Sequence, residues 1–87
     1  MTRTRFERLE LGGADSAGFQ ISGKLGFHEN EKVEQLTEEC LKREFKQVVF
    51  DFSELTSLGG GVARILRTFA KDLAKTGGKV TFVVTSS

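Results

Sequence analysis

Val48-Val49-Phe50-Asp51-Phe52-Ser53-Glu54-Leu55-Thr56-Ser57-Leu58-Gly59-Gly60-Gly61-Val62 is the stretch that decides the fold of this chain. Its first five residues are largely apolar, which predicts an interior strand covered by helices. Residues 53–58 predict a short polar loop, and the three glycines that follow predict the tight start of a helix. The stretch therefore predicts a strand–loop–helix unit with an acidic residue, Asp51, close to the end of the strand.

Two strands are predicted ahead of this unit. Residues 6–11 and 19–22 alternate with the period of two that is typical of half-buried strands. The glycine-rich segment 12–18 between them predicts a loop, so that the two strands form a hairpin. Gly23 and Gly26 predict a bulge or a tight bend where the chain leaves the second strand.

The hydrophobic period then becomes helical. From Val33 to Phe45, apolar residues recur at steps of three and four, which predicts an amphipathic helix over about Asn30–Glu44 with Asn30 as its N-cap. A second helix is predicted over Gly60–Lys75, ended by the glycines at 77 and 78. Residues 79–84 predict the last strand, and residues 85–87 a polar tail.

The predicted order is strand, strand, helix, strand, helix, strand. This order indicates an α/β fold in which an N-terminal β-hairpin is followed by a βαβαβ unit, with helices packed on a mixed sheet. Strands joined by helical crossovers are expected to be parallel. With 87 residues, no internal repeat and no linker, residues 1–87 are expected to form a single domain.

Composition excludes several classes of function. Thirteen basic residues oppose 12 acidic ones, so nothing favours binding to nucleic acid. No apolar stretch approaches the roughly 20 residues that span a bilayer, so membrane insertion is not expected. A single cysteine and the lack of a signal-like run near Met1 favour a cytoplasmic location.

The residues that could carry catalysis are sparse. His28 is the only histidine, and no second histidine or nearby cysteine accompanies it as a metal site would require. Cys40 lies on the apolar stripe of the first helix, where a cysteine packs as a small core residue. Glu38 and Glu39 are predicted to lie on the solvent-exposed side of the first helix. The sequence therefore predicts a protein that is not an enzyme and that uses neither cofactor nor metal.

The glycine run has two interpretations. Gly59-Gly60-Gly61 lacks the lysine and hydroxyl residue that complete a phosphate-binding P-loop. Bare amides at a helix start can still hold an anion or a nucleotide. The competing interpretation is a tight strand-to-helix turn packed closely against a neighbour, and this structural interpretation is favoured.

The second helix carries a row of basic residues beside that run. Arg64, Arg67, Lys71 and Lys75 lie at steps of three and four on the face opposite the apolar stripe. The row is either an ordinary solvated helix face or a docking strip for an acidic partner surface. The residues alone leave both interpretations open.

From Phe6 to Val84 the chain resembles the STAS family, the sulfate-transporter and anti-sigma-factor-antagonist domains. Three segments carry the resemblance, and their order and spacing agree with those of the family: Ile21-Ser22-Gly23-Lys24-Leu25, Val48-Val49-Phe50-Asp51-Phe52-Ser53 and Gly77-Gly78-Lys79-Val80. In the family, the loop before the second helix reads Asp-Ser-Ser-Gly, and its second serine is often phosphorylated. Here glycines stand at the matching positions, so the resemblance implies the framework without the usual phosphoacceptor.

The resemblance implies an interaction module that acts in partner switching. Antagonists of this family bind an anti-sigma factor kinase through the loop and the second helix. Thr56 and Ser57 are the nearest hydroxyls that could replace the missing acceptor. Carried over to this chain, the partner-binding surface comprises Ser53, Ser57, Gly59, Gly60, Gly61, Arg64, Arg67 and Lys71.

Two further expectations come with the resemblance. The family usually continues with another helix beyond the segment at which this sequence stops, Ser87, so an uncovered hydrophobic face is expected to favour a homodimer or a larger assembly. The same features are compatible with a structural role, as a STAS subunit of a stressosome-like scaffold or of a lipid-transporter ATPase complex.

Overall fold

A computed structural model describes residues 4–84; the predicted polar tail at 85–87 lies outside these residues. Within these residues seven regular elements follow one another, with a short 3-10 turn, Phe27–Glu29, ahead of the first helix. They are β1 (Arg5–Leu9), β2 (Ser16–Leu25), α1 (Asn30–Lys42), β3 (Gln47–Asp51), β4 (Leu55–Leu58), α2 (Gly60–Lys75) and β5 (Lys79–Val83).

The sheet has the order β1-β2-β3-β5, with β4 paired to β2 off this path. β1 and β2 run antiparallel, which confirms the predicted hairpin. β2, β3 and β5 are mutually parallel, as the helical crossovers require. The predicted mixed α/β architecture is therefore confirmed.

The segment at residues 53–58 corrects the sequence prediction, because it is not all loop. Leu55–Leu58 forms β4, which runs parallel to the last residues of β2. The register shifts between Gly23 and Lys24, which confirms the predicted bulge. A strand of only four residues depends on its partner strand, so its own residues carry little signal.

Most strand ends shift by one or a few residues from the prediction, and three differences at element ends have a structural reason. β2 begins at Ser16, inside the predicted loop, because the buried Ala17 and Gly18 pair with β3. α1 ends at Lys42, and Glu44 adopts a positive φ of 57° in the turn that follows. Asn30 is the first residue of α1 and not its N-cap; the chain enters the helix through the 3-10 turn.

An aromatic cluster centred on Phe50 fills the core between the sheet and the helices. Phe50 is fully buried, and Phe19, Phe52 and Phe82 stack on it with ring centroids 5.7, 5.9 and 5.8 Å away. Phe69 of α2 meets the same ring edge-on at 6.0 Å. These contacts fix α2 over β3, and they thereby position the start of α2 at the carboxyl end of that strand.

Candidate functional site

The candidate site lies where β3 ends, β4 passes and α2 begins. Asp51 is the last residue of β3, and its Oδ1 accepts a hydrogen bond of 2.9 Å from the backbone N–H of Ser53. Hydrogen bonds from the Ser53 side chain, the Ser53 backbone and the Gln20 side chain hold the pKa of this carboxyl below its ordinary value of 3.8. Ser53 therefore takes part in the turn that leads into β4, and its role as a partner contact, which the family resemblance implies, stays a prediction.

The two hydroxyls of β4 differ in their surroundings. Thr56 Oγ1 donates a 2.9 Å hydrogen bond to the carbonyl oxygen of Gly23 and so ties β4 to the bulge in β2. Ser57, the next residue of the strand, is exposed to solvent. Both residues precede the helix, and neither occupies the position that the family acceptor would take at the start of α2.

Each glycine of the run has its own environment. The N–H of Gly59 donates to the carbonyl oxygen of Leu25 at 2.6 Å, and a Cβ at residue 59 would lie 3.2 Å from that oxygen. A Cβ on Gly60 would meet nothing within 4 Å. A Cβ on Gly61 would lie 2.9 Å from Nδ2 and 3.3 Å from Oδ1 of Asn30. The close packing at the first and third glycines supports the interpretation as a tight turn.

The basic row on α2 is exposed, as the sequence predicts. Arg64, Arg67, Lys71 and Lys75 all face solvent. Only Lys75 has an acidic neighbour within salt-bridge distance among residues 4–84, at 3.8 Å from an oxygen of Asp72. The other three cations have no ion-pair partner within 4.0 Å in the described part of the chain.

The row divides over the two flanks of α2. Arg64 lines the cleft between α1 and α2, which it shares with Glu34 and Glu38 of α1. Arg67 lines the opposite flank, beside Phe82 of β5. The basic residues therefore form a ridge between the cleft with α1, whose rim carries acidic side chains, and an apolar groove.

The apolar groove is a feature that the site prediction missed. It has a volume of about 360 Å³ and runs between α2 and the sheet edge; its lining includes Phe52, Leu58, Leu66 and Phe82. Leu58 is 46% exposed and Phe82 is 40% exposed. The sequence does contain a sign of this groove: Leu58 is an apolar residue directly ahead of the glycines, in a segment that is predicted to be a polar loop. The groove fits the expected uncovered hydrophobic face, while oligomeric state stays a prediction.

Candidate catalytic residues are not brought together. His28 is exposed in the 3-10 turn, and its ring neighbour is Phe27. Cys40 is 1% exposed, and burial raises the pKa of its thiol from 9.0 to about 11. Among residues 4–84 no group of histidine, cysteine, aspartate and glutamate side chains is arranged to hold a metal ion. Neither helix in that part of the chain has the length and apolar character needed to cross a bilayer.

Comparisons with known proteins agree with the fold. The family model of the STAS domain matches residues 9–87. The unphosphorylated anti-sigma factor antagonist SpoIIAA superposes with a TM-score of 0.80 at 13% identity, over 95% of this chain and 76% of that one.

Phosphorylated SpoIIAA, described as a Bacillus cell fate determinant, superposes with a TM-score of 0.73 at 13% identity, over 87% of this chain and 68% of that one. An antisigma-factor antagonist STAS domain from Rhodobacter sphaeroides gives a TM-score of 0.63 at 18% identity, over 94% and 85% of the two chains. A sequence comparison with curated proteins finds no match.

Proposed function

This chain belongs to the STAS domain family, and on that premise we propose that it is a non-enzymatic interaction module of a cytoplasmic partner-switching pathway. Its partner is a regulatory protein such as an anti-sigma factor kinase. The contact surface is formed by Ser57, the exposed glycines at the start of α2, and the basic ridge of Arg64, Arg67 and Lys71.

The observation that carries the proposal is the basic ridge beside a bare helix start. Three exposed cations on one helix have no ion-pair partner among the described residues. Unpaired surface charge steers association with a surface of opposite sign and fixes its orientation. The N-terminus of α2 adds partial positive charge at the Arg64 end of the ridge. The matching partner surface is therefore acidic.

The second part of the proposal concerns regulation. At the start of α2, where the family carries its acceptor serine, this chain has Gly60 and Gly61. A phosphate group at that position would add about two negative charges. Since the usual acceptor hydroxyl is replaced, binding is constitutive or is controlled in another way.

The test is affinity capture of the tagged protein from extract of its own cells, with mass spectrometry of bait and prey. Replacement of Arg67 and Lys71 together by glutamate is expected to abolish capture of the regulatory partner, and capture by the unchanged chain should weaken as salt rises. The control is Lys42→Glu on the exposed end of α1, a charge reversal away from the ridge, and Arg67→Glu alone is the variant with the same change in net charge. Equal capture by all four proteins would place the contact elsewhere.

A charge at the helix start provides a separate check. Gly60→Asp adds a carboxylate at a position where a side chain meets nothing within 4 Å, so the fold is expected to tolerate it. Binding to an acidic partner should fall because like charges are brought together. Undiminished binding would remove the glycine run from the contact surface.

The same capture experiment distinguishes the structural alternatives. Related STAS subunits among the prey would indicate a stressosome-like scaffold, and a transporter ATPase would indicate a subunit of a lipid-transport complex. For anion or nucleotide binding the support is weaker, because the close packing at Gly59 and Gly61 is already explained by a tight turn. Calorimetric titration with nucleotides that released heat would revive that alternative.

A further inference from the structure

The last strand of the main sheet has one edge without a partner strand. In the order β1-β2-β3-β5, β5 pairs with β3 on one side, and no strand among residues 4–84 pairs with its other side. Phe82 and Val83 are 40% and 41% exposed, and Val84, which follows them, is 69% exposed. In the described part of the chain, this segment therefore presents an apolar edge to solvent.

The backbone groups on that edge are directed by the parallel pairing with β3. The carbonyl oxygen of Val83 accepts a 2.8 Å hydrogen bond from the N–H of Phe52, just beyond the end of β3. In a parallel pair every second residue directs both its N–H and its C=O to the same neighbouring strand, so Thr81 also bonds to β3. The N–H and C=O groups of Val80 and Phe82 therefore point toward the open edge.

The two outer strands of the main sheet differ in charge. β1, at the other end, carries Arg5, Glu7 and Arg8, and the first two form an ion pair of 2.8 Å. Charged side chains of this kind protect an edge strand against pairing with another chain. Residues 80–84 carry no charge. The β5 edge lacks the protection that β1 has, and the strand that matches it in charge is another uncharged one.

We propose that the β5 edge pairs with the β5 edge of a second copy of this chain, antiparallel and about a two-fold axis at Thr81. In that register Val80 lies opposite Phe82 of the second copy, and this pair and its symmetry mate each exchange both outward hydrogen bonds. The same pairs place an aromatic ring against a β-branched side chain, which is a favourable cross-strand contact. Lys79 lies opposite Val83, so no like charges face each other.

The two-fold pairing also sets the size of the assembly. It uses the β5 edges of both copies at once, so the joined sheet keeps only the charged β1 edges at its two ends. The expected product is therefore a closed dimer and not a growing filament. Self-association of this kind needs no regulatory partner and does not rest on the proposed function.

The first measurement is the mass of the purified 87-residue chain by size-exclusion chromatography with light scattering, over concentrations up to about 1 mM. The mass is expected to rise to twice that of one chain and to stop there. A monomer at every concentration, or growth beyond the dimer, would overturn the proposal. This outcome does not depend on whether any variant folds.

Charge placed at the two-fold axis then locates the contact. Side chains alternate along a strand, so Thr81 lies on the opposite face of the sheet from Phe82, whose ring stacks on Phe50, and a longer side chain there avoids the core. Thr81→Lys sets two lysines face to face in the dimer and should raise its dissociation constant at least about fivefold, as should Thr81→Glu. An equimolar mixture of the two variants should dimerise again, because lysine then faces glutamate.

Thr68→Lys on the exposed face of α2 is the control, because it adds the same charge away from the β5 edge. It should leave the dissociation constant unchanged, and circular dichroism checks that each variant is folded. Equal weakening by Thr68→Lys, or an undiminished dimer of Thr81→Lys, would overturn the proposal. None of these measurements involves the regulatory partner, so they stand whether or not the capture experiment succeeds.

Discussion

The hydroxyl of Thr56 is expected to hold β4 in place, and Thr56→Val tests this. The substitution keeps the β-branched shape and removes the 2.9 Å hydrogen bond to the Gly23 carbonyl. A hydrogen bond of this kind contributes roughly 0.5–1.5 kcal/mol net. Because the bond is only partly buried, we expect a loss of about 1 kcal/mol rather than the full cost of a buried unpaired group.

The assay is thermal unfolding followed by far-ultraviolet circular dichroism, since the chain has neither tryptophan nor tyrosine to report by fluorescence. For a domain of this size, 1 kcal/mol lowers Tm by about 4–8 °C. Thr68→Val is the control, because Thr68 is an exposed threonine on α2 with no hydrogen bond from its side chain among residues 4–84. If both variants lost the same stability, the Thr56 hydrogen bond would not be what secures β4.

Three other predictions concern acid stability, thiol reactivity and self-association. Asp51→Asn should lower Tm at neutral pH and should make Tm fall less steeply as the solution is acidified. The pKa of the Asp51 carboxyl in the folded chain lies below 3.8, so the carboxylate stabilises the fold above pH 3.8. This contribution is lost as the pH falls through the lowered pKa. An acid titration of Tm identical to that of the unchanged protein would contradict this. Cys40 should react with a thiol reagent only after unfolding, because it is buried and its pKa is raised to about 11; fast labelling in native buffer would show that α1 opens. Phe82→Glu should reduce any self-association seen by light scattering, since it places a charge in the apolar groove; a monomeric unchanged chain at high concentration would refute the expected assembly.

The parts of the fold that could be predicted are those with a repeated local pattern. α2 has the predicted bounds, Gly60–Lys75, because its apolar stripe continues over four turns and glycines flank it. The order of strands and helices follows from the same periodicities. These signals lie within each element, so a single sequence is sufficient to reveal them.

The parts that could not be predicted depend on contacts between distant segments. β4 has four residues, and three of them are exposed, so its strand state comes from pairing with the end of β2. Residues 16–18 read as a loop because they are small and polar, yet their backbone pairs with β3. Asn30 reads as an N-cap, whereas the 3-10 turn ahead of it takes over entry into the helix. In each case tertiary pairing overrides local preference.

The glycine run illustrates why a motif should be interpreted through its neighbours. Gly59 is required where its backbone approaches Leu25, Gly60 is unconstrained by the described residues, and Gly61 faces Asn30. Two of the three glycines are thus accounted for by packing, which leaves little of the run to explain by a bound anion. The exposed side chains next to the glycine run are cationic on the ridge and apolar at Leu58. A protein surface can satisfy both at once, with acidic side chains toward the ridge and apolar ones toward the groove, whereas a small anion can satisfy only the first. That difference is the reason to test for a protein partner before a small ligand.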